Sequence, residues 1–349
     1  MSSLLDSFAP STATVPSLKL SIGSASADDW GRVVVSLVVE AGLAPAVDVV
    51  VATVAAAKDA PTASVDDDCS VELGSGDDTT KVFTGKVQTI GRDVHGRTRI
   101  VAANGGGLLA ALRVNQSYDG QSAGAVVRDL VSRAGARAGS VADGIALPYY
   151  VVDDRSSGYR HVARLARLSG CVAYVAADGT LTVETPSQAP PEQTFAYAKD
   201  VLGFETCERT PAGGAVTAVG EGAAGTKGDD AWSWLAKDVS SVSSTSGDGG
   251  ERLLVDAALR SSGAARTAAG GESDALGLSA VTGVLVVPGS TKVAVGRRVA
   301  VSDAPDGALN GTYLVLQVRH GFTKRGGFTT RAVVGKAGGG ALGALGGLP

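Results

Sequence analysis

The sequence predicts a mainly β protein in which two related small β-barrels are joined by an α+β connector of two helices and a hairpin. The first observation is composition. Only 5% of the residues are aromatic, so small and β-branched side chains must fill the core, which suits pleated sheets. The second is period-two alternation of apolar residues in two long regions, and the third is helical periodicity in the stretch between them.

These patterns divide the chain of 349 residues into five segments, in keeping with the two or three domains that its length suggests. The segments are an N-terminal arm (1–14), a first β-barrel domain (15–107), an α+β connector domain (108–190), a second β-barrel domain (191–336) with a long Gly/Ser loop (221–251), and a flexible Gly-rich tail (337–349). A Pro-rich stretch at 186–191 is the expected linker before the second barrel.

Short strands separated by turn signals make up the first β region. Alternation begins at residues 18–22, and the next strand is expected to present one face consisting of Val33, Val35, Leu37 and Val39. Further strands are expected near residues 48–54, 69–73, 81–90 and 98–103. About five or six such strands predict a small sandwich or barrel.

Two acidic clusters, Asp66–Asp68 and Asp77–Asp78, could suggest calcium binding. Neither fits the EF-hand pattern, because no closing Glu follows at the required offset. We interpret both clusters as solvated turns, and the sequence predicts no metal site.

The first connector helix is expected to begin after Ser122, which can cap it, and to end at Gly135 in the left-handed conformation. Its apolar residues follow i, i+3, i+4, i+7 spacing. They are Ala123, Val126, Val127, Leu130, Val131 and Ala134.

The second connector helix is expected to begin at Ser156 or Ser157 and to end at Gly170. Its buried stripe is expected to contain Tyr159, Val162, Ala163 and Ala166, with Leu165 and Ser169 as further candidates. The outer face is expected to carry Arg160, Arg164, Arg167 and His161, available to a neighbouring subunit. Beyond the helix, Asp178-Gly179 between two alternating segments predicts a hairpin with a type I′ turn.

The second β region is expected to hold strands near 215–219, 283–287, 292–301, 311–320 and 327–334, with one helix within 252–269. The Gly/Ser loop surrounds Trp232 and Trp234, and a loop of that length inside a compact domain is often functional.

The two β regions also repeat each other in sequence. In the first region, residues 83–90 are followed by a basic turn near His95 and a Thr/Arg-led strand at 98–105. In the second, residues 309–318 are followed by a turn near His320 and a Thr/Arg-led strand at 328–335, in the same order and spacing. The repeat predicts two related barrels within one chain.

Composition excludes several classes of partner. The net charge is −4 with both signs interspersed, whereas nucleic-acid binding requires a concentrated basic face. No apolar run reaches the ~18 residues of a membrane span, and the N-terminus lacks the features of a secretory signal. We therefore expect a chain that is made in the cytoplasm, binds no nucleic acid and does not insert into a membrane.

The cysteines and histidines form no site in the sequence. Cys69, Cys171 and Cys207 are far apart and odd in number, so neither a disulfide framework nor a zinc site is expected, although oxidation of one pair outside the cell stays open. His95 and His320 are placed in turns, and no metal-ligand motif includes a histidine.

A G-x-G-x-x-G match at 220–225 resembles a dinucleotide-binding fingerprint, but no helix follows it, so we interpret it as a flexible loop. The P-loop pattern also fails, because Lys227 follows Thr226. No cofactor and no catalytic residue are predicted, and no G-x-S-x-G elbow presents a nucleophile.

Three phrases in the connector resemble a known family. They are Asn115-Gln116-Ser117 before a helix, the helix end Arg164-Leu165-Ala166-Arg167-Leu168-Ser169-Gly170, and the hairpin Asp178-Gly179-Thr180-Leu181. The chain from about residue 15 to 336 resembles the phage late control protein D family, the tail hub of contractile phages, and is similar to the hub portion of type VI secretion VgrG proteins.

This resemblance implies a structural role and no enzymatic activity. The expected assembly is a homotrimer that adapts a hexameric inner tube to a trimeric spike within a baseplate, in a phage tail or phage-like particle. Because the sequence ends at Pro349, without the needle of VgrG proteins, the spike is expected to be a separate protein. The alternatives are a peptidoglycan-degrading tail enzyme, which would need paired carboxylates, and a glycan-binding baseplate module that uses Trp232 and Trp234.

Overall fold

The computed structural model describes residues 15–209, 215–220, 243–247 and 251–337. The arm at 1–14, Trp232 and Trp234 of the predicted loop, and all but the first residue of the tail at 337–349 lie outside these ranges. The helices are α1 Ala27–Val33, α2 Gly105–Ala111, α3 Ala123–Arg133, α4 Gly158–Leu168 and α5 Ser262–Ala280.

The strands alternate with these helices and make up most of the regular structure. In chain order they are β1 Pro16–Ile22, β2 Val34–Gly42, β3 Val49–Val54, β4 Asp68–Ser75, β5 Asp78–Arg92, β6 Thr98–Ala103, β7 Gln116–Ser122, β8 Arg137–Val141, β9 Ala146–Val152, β10 Val172–Val175, β11 Thr180–Glu184, β12 Gln193–Ala196, β13 Gly203–Glu208, β14 Ala215–Val219, β15 Ser243–Ser246, β16 Glu251–Val255, β17 Val281–Pro288, β18 Arg298–Ser302, β19 Gly311–Thr323 and β20 Gly327–Lys336. The predicted fold class, mainly β with an α+β unit, is confirmed.

The two β regions repeat one strand order. The first runs β1-β4-β5-β6-β3-β2, and the second runs β12-β18-β19-β20-β17-β13. When strands are matched in chain order, β1 to β6 correspond to β12, β13, β17, β18, β19 and β20, and the two orders are then the same. One pairing differs in direction, because β1–β4 is antiparallel and β12–β18 is parallel.

Both regions belong to a single 12-stranded sheet, because β2 pairs with β19. The connector is therefore not the sole link between them. Local periodicity cannot reveal this pairing, since a strand's pattern reports which face is buried and not which strand lies beside it.

A bulge changes the predicted burial at the start of β2. The pairing with β3 shifts register between Val34 and Ser36, so Val34 is buried and Val35 is 44% exposed. The prediction that Val33, Val35, Leu37 and Val39 share one face is wrong at its first two members, because Val33 ends α1 and the bulge reverses the alternation after it.

The connector helices begin and end as predicted. The Ser122 side chain accepts a hydrogen bond from the Ala125 amide, and Ser157 does the same for Arg160, which is the N-cap interaction. The closing glycines, Gly135 and Gly170, have φ of 69° and 65°.

The hairpin turn differs in detail from its prediction. Gly179 has φ of 83°, Asp178 is not among the residues with positive φ, and the Gly179 amide donates to the Ala176 carbonyl oxygen at 2.8 Å. A type I′ turn needs two positive φ angles, so this is a longer turn that ends on a left-handed glycine.

A unit of which the sequence predicted only the strand near 215–219 interrupts the β13–β17 pair. These strands meet at Glu208 opposite Val281, and the chain between them contributes β14, β15, β16 and α5. The expected helix within 252–269 is wrong, because residues 251–255 form a strand and the helix begins at Ser262.

Three hydrophobic clusters form the interior. One fills the first β region and includes Phe328 of β20. Another fills the second β region. The third combines the connector with the inserted unit, whose contributions are Ala218, Ala258, Leu259, Ala264, Ala265, Ala268 and Ala269.

Candidate assembly surface

The junction between the two β regions is an antiparallel pairing of β2 with β19. It runs from Gln317 opposite Gly42 to Thr323 opposite Ser36, and the Leu43 amide extends it by donating to the Leu316 carbonyl oxygen at 3.1 Å. On the outer face, Arg319 forms an ion pair with Glu40 at 3.1 Å. Leu37 and Val39 point to the opposite side and are buried.

Several strand edges lack a partner among the residues that the structure describes, and two of them belong to strands that correspond to the β2–β19 junction. β13 pairs with β17 alone, and β5 beyond Val87 pairs with β6 alone. Thr89, Gly91, Glu205 and Cys207 along these edges are exposed. An unpaired edge is a template for another strand, so both edges are candidate docking surfaces.

Backbone direction shows which residues present hydrogen-bonding groups to these edges, because in an antiparallel ladder successive residues point to opposite sides. The Arg209 amide donates to the Ala280 carbonyl oxygen at 2.8 Å. The backbone amide and carbonyl groups of Thr206 and Glu208 therefore point away from β17. The Asp93 amide likewise donates to the Arg97 carbonyl oxygen at 3.0 Å. The backbone amide and carbonyl groups of Ile90 and Arg92 therefore point away from β6.

The arginines of α4 bind within the chain. Arg164 contacts Asp256 at 2.6 Å, and Arg167 contacts Glu272 at 2.5 Å. Glu272, whose side chain is 5% exposed, also binds Arg252 at 3.1 Å. We name these five residues the arginine–carboxylate cluster. Arg164 and Arg167 are exposed, as expected for the outer face of the helix, and their ion pairs attach the connector to the inserted unit. Their contact with a neighbouring subunit stays a prediction.

Close packing accompanies this cluster. A Cβ placed on Gly271 would lie 2.4 Å from the Gly170 Cα atom. Glycine at 271 thus allows α5 to approach the end of α4 more closely than any other residue could.

The structure does not bring the three histidines together. His161 is buried, with its ring 3.1 Å from the Tyr150 hydroxyl and 3.2 Å from the Asp153 carbonyl oxygen, so its prediction as an outer-face residue is wrong. His320 lies within β19 and not in a turn. Its Nδ1 atom is 3.0 Å from Thr330 Oγ1, and burial lowers the pKa of His320 to about 4. His95 is exposed in the β5–β6 turn, as predicted.

Asp48 is a buried acid that sequence reasoning missed. Its carboxylate accepts hydrogen bonds from the Gly42 amide at 2.9 Å and from Asn104 Nδ2 at 2.6 Å. Burial raises the pKa of Asp48 to about 7. The Tyr159 hydroxyl is also buried and has no hydrogen-bond partner. No local signal marks Asp48, because its donors lie on other elements.

The remaining candidates form no site. All three cysteines are free. Burial raises the pKa of Cys69 to about 12, and Cys207 is exposed on β13. Within the described ranges, no cluster of three or more His, Cys, Asp or Glu side chains could hold a metal ion. None of the helices described is long and apolar enough to span a membrane.

Solved structures resemble this chain over nearly its whole length. A tail protein from Neisseria meningitidis matches with a TM-score of 0.70 at 14% identity, covering 92% of this chain and 97% of that one. The 43 kDa tail protein of a Shewanella oneidensis prophage matches with a TM-score of 0.69 at 12% identity, covering 92% and 98%. The chain has the fold of phage tail proteins.

The same fold extends to a secretion system. An Escherichia coli type VI secretion component, described as structurally similar to bacteriophage tail proteins, matches with a TM-score of 0.58 at 11% identity, covering 92% of this chain and 77% of that one. No family model matches the sequence, and no curated protein does so either. At the level of fold, the resemblance predicted from the connector phrases is confirmed.

Proposed function

We propose that this protein is the structural hub of a phage tail or of a related contractile injection machine. In this role it forms a homotrimer at the baseplate that adapts the hexameric inner tube to the trimeric spike. The observation that carries the proposal is the repeated strand order of the two β regions, in a chain whose full length resembles tail proteins. A trimer of duplicated regions presents six similar surfaces, which a hexameric ring can match.

The proposed role is mechanical. The two β regions would face the tube, and the opposite side of the trimer would receive the spike. The hub would be made in the cytoplasm and incorporated into the particle, where it would travel with the tube on contraction.

Mass and symmetry test this proposal. In solution at high concentration we expect a particle of three times the 34.7 kDa chain, measured by light scattering with native mass spectrometry. Mixed with its tube and spike proteins, the chain should co-migrate with both. A protein that stays monomeric and binds neither partner would contradict the hub role.

The absence of enzymatic activity is part of the same proposal. Zymography of the purified protein against peptidoglycan should show no clearing, and clearing would favour the tail-enzyme alternative. Glycan binding that Trp232→Ala and Trp234→Ala abolish would favour the glycan-binding module instead.

A further inference from the structure

We infer that two copies of this chain join edge to edge, with β13 of one copy pairing antiparallel to the second half of β5 in the next. The junction would repeat the β2–β19 junction that each copy already contains. The occupant of both free edges is thus a second copy of the same chain.

The first step is strand equivalence. Because the two regions share one strand order, β13 corresponds to β2, and β5 corresponds to β19. Inside the chain, β2 pairs with β19. Their counterparts, β13 and β5, each carry an edge that lacks a partner in the described part of the chain. The chain therefore contains one completed junction and the two halves of another.

The second step is register. The β5–β6 hairpin shifts register between Val87 and Thr89, and the β19–β20 hairpin shifts between Val315 and Gln317. Aligning these bulges also aligns the strands TRIVAA (98–103) and TRAVVG (330–335). In this alignment Gly91 of β5 corresponds to Arg319 of β19. The alignment extends from β6 and β20 to their neighbours β3 and β17, and from these to β2 and β13. Cys207 of β13 then corresponds to Glu40 of β2.

The internal junction then predicts the pairs between copies. Arg319 lies opposite Glu40, so Gly91 of one copy lies opposite Cys207 of the next. In the same register Ile90 lies opposite Glu208, and Arg92 lies opposite Thr206.

Backbone geometry, which was not used in the alignment, agrees with this register. Ile90 and Arg92 present their amide and carbonyl groups to the free edge of β5, and Thr206 and Glu208 present theirs to the free edge of β13. The groups that must bond are thus the ones that point outward. A one-residue slip would break this match.

Charge also agrees. Arg92 and Glu208 would lie diagonally across the junction on one face, within reach of long side chains. Each is exposed, and no ion pair of either is found in the part of the chain that the structure describes. The new junction is shorter than the internal one, because β5 pairs with β6 only as far as Arg92, whereas β19 continues to Thr323.

A junction between two different edges is heterologous, so copies add head to tail until a ring closes. The pairing follows from the strand order and register alone. Only the number of copies, three, rests on the proposed function.

A disulfide across the junction tests the pairing. Gly91→Cys places a thiol opposite the native Cys207 in a non-hydrogen-bonded pair, where Cα atoms lie about 4.5 Å apart, within the range a disulfide tolerates. The site is open, since a Cβ on Gly91 meets only the Arg99 carbonyl oxygen at 4.0 Å. Controls are Gly91→Cys combined with Cys207→Ser, and Ser117→Cys, an exposed position on the connector.

On mild oxidation, Gly91→Cys should give covalent species larger than a dimer on denaturing gels, and neither control should. A ladder that ends at three chains supports both the pairing and the hub. A ladder that passes three chains supports the pairing and overturns the trimer. A ladder that ends at two, or no cross-link in a protein that light scattering shows to be trimeric, overturns the pairing and leaves the proposed trimer standing.

A proline variant provides a second, independent measurement. Thr206→Pro removes an amide that points to the free edge, and proline is tolerated at such positions on edge strands. We expect a circular dichroism spectrum like that of wild type and at least tenfold weaker association. Glu205→Pro, one residue away, removes an amide that bonds β17 and should lower folding stability instead. Unchanged association of folded Thr206→Pro would overturn the pairing.

Discussion

The two β regions place different residues at equivalent positions. His320 faces Thr330 across the second hairpin, and the corresponding pair in the first is Arg92 facing Thr98. His320 is 3% exposed because β2 lies beside it, whereas Arg92 is exposed on a free edge. Whether the residue at this position is buried therefore depends on the neighbouring strand and not on the hairpin itself.

A second difference concerns acids. Asp48, directly before β3, is 4% exposed, and the register places Val281, the first residue of β17, at the equivalent position. Asp48 in the first region and His320 in the second are thus buried titratable groups that the other region lacks at the equivalent position. Burial favours the neutral form of both groups, which raises the pKa of the acid and lowers the pKa of the base, so pH separates their contributions to stability.

The largest expected effect is that of Asp48. Its pKa rises from 3.8 to about 7 on folding, so between these values the folded state holds a proton that the unfolded state has lost. Stability from this group is full below about pH 4 and falls as pH rises to 7, by about 4 kcal/mol in total. Asp48→Asn lacks this contribution, so its unfolding free energy, measured by urea unfolding, should rise relative to that of wild type as pH increases across this range.

The comparison would fail if both proteins had the same pH dependence. Only the slopes are compared, because the asparagine introduced at position 48 must place an amide donor near either the Gly42 amide or Asn104, which changes stability at every pH.

His320 should show the opposite dependence. Its pKa falls from 6.5 to about 4 on folding, so between these values the unfolded state binds the extra proton. Stability from this group is full above pH 6.5 and is lost as pH falls toward 4, by about 3 kcal/mol. His320→Gln lacks this contribution, so its unfolding free energy should rise relative to that of wild type as pH falls, as measured by urea unfolding at several pH values.

Because the two effects oppose each other, the unfolding free energy of wild type should vary less between pH 4 and 6.5 than that of either variant. A wild-type profile as steep as that of Asp48→Asn would contradict the assignment.

Sequence reasoning succeeded where the signal is local. Ser122, Ser157, Gly135 and Gly170 mark helix ends through bonds and φ angles within a few residues. It failed where the partner is distant, since Arg164 finds Asp256 92 residues later. It also failed for α5, whose described buried residues are four alanines and Glu272, a pattern without the large apolar side chains that identify a helix stripe.

The free edges of the candidate surface were likewise beyond prediction. Residues 87–92 and 203–208 read as ordinary strands, because an unpaired side has no signature in side-chain alternation. The sequence shows that β19–β20 repeats β5–β6 as matching residues. Only the strand order shows that the free edges of β13 and β5 correspond to the paired edges of β2 and β19.

A third, smaller difference concerns the connections within the equivalent strand pairs β2–β3 and β13–β17. β2 and β3 are joined by a short connection, whereas the β13–β17 pair opens into the inserted unit, which the arginine–carboxylate cluster attaches to α4. Glu272→Ala leaves Arg167 and Arg252 without their shared partner, and we expect a loss of about 2 kcal/mol in unfolding free energy.

Arg160→Ala is the matched control for this variant. Arg160 is exposed on α4, the helix that carries Arg164 and Arg167, and its side chain forms no ion pair in the ranges described. Its removal should therefore change stability by less than about 0.5 kcal/mol. Equal effects in chemical denaturation would show that the cluster does not hold the inserted unit.

The smallest expected effect tests what holds the internal junction. The side chains of Arg319 and Glu40 are 56% and 40% exposed, and an exposed ion pair contributes about 0.2–1 kcal/mol. Glu40→Gln should therefore lower the unfolding free energy by less than about 1 kcal/mol, and added salt should reduce wild-type stability by no more. Such a result would mean that backbone pairing and the buried side chains carry the junction. A loss above about 2 kcal/mol would instead show that the junction depends on the ion pair. The equivalent pair between copies, Gly91 opposite Cys207, is uncharged, so the junction between copies would then be weaker than the internal one.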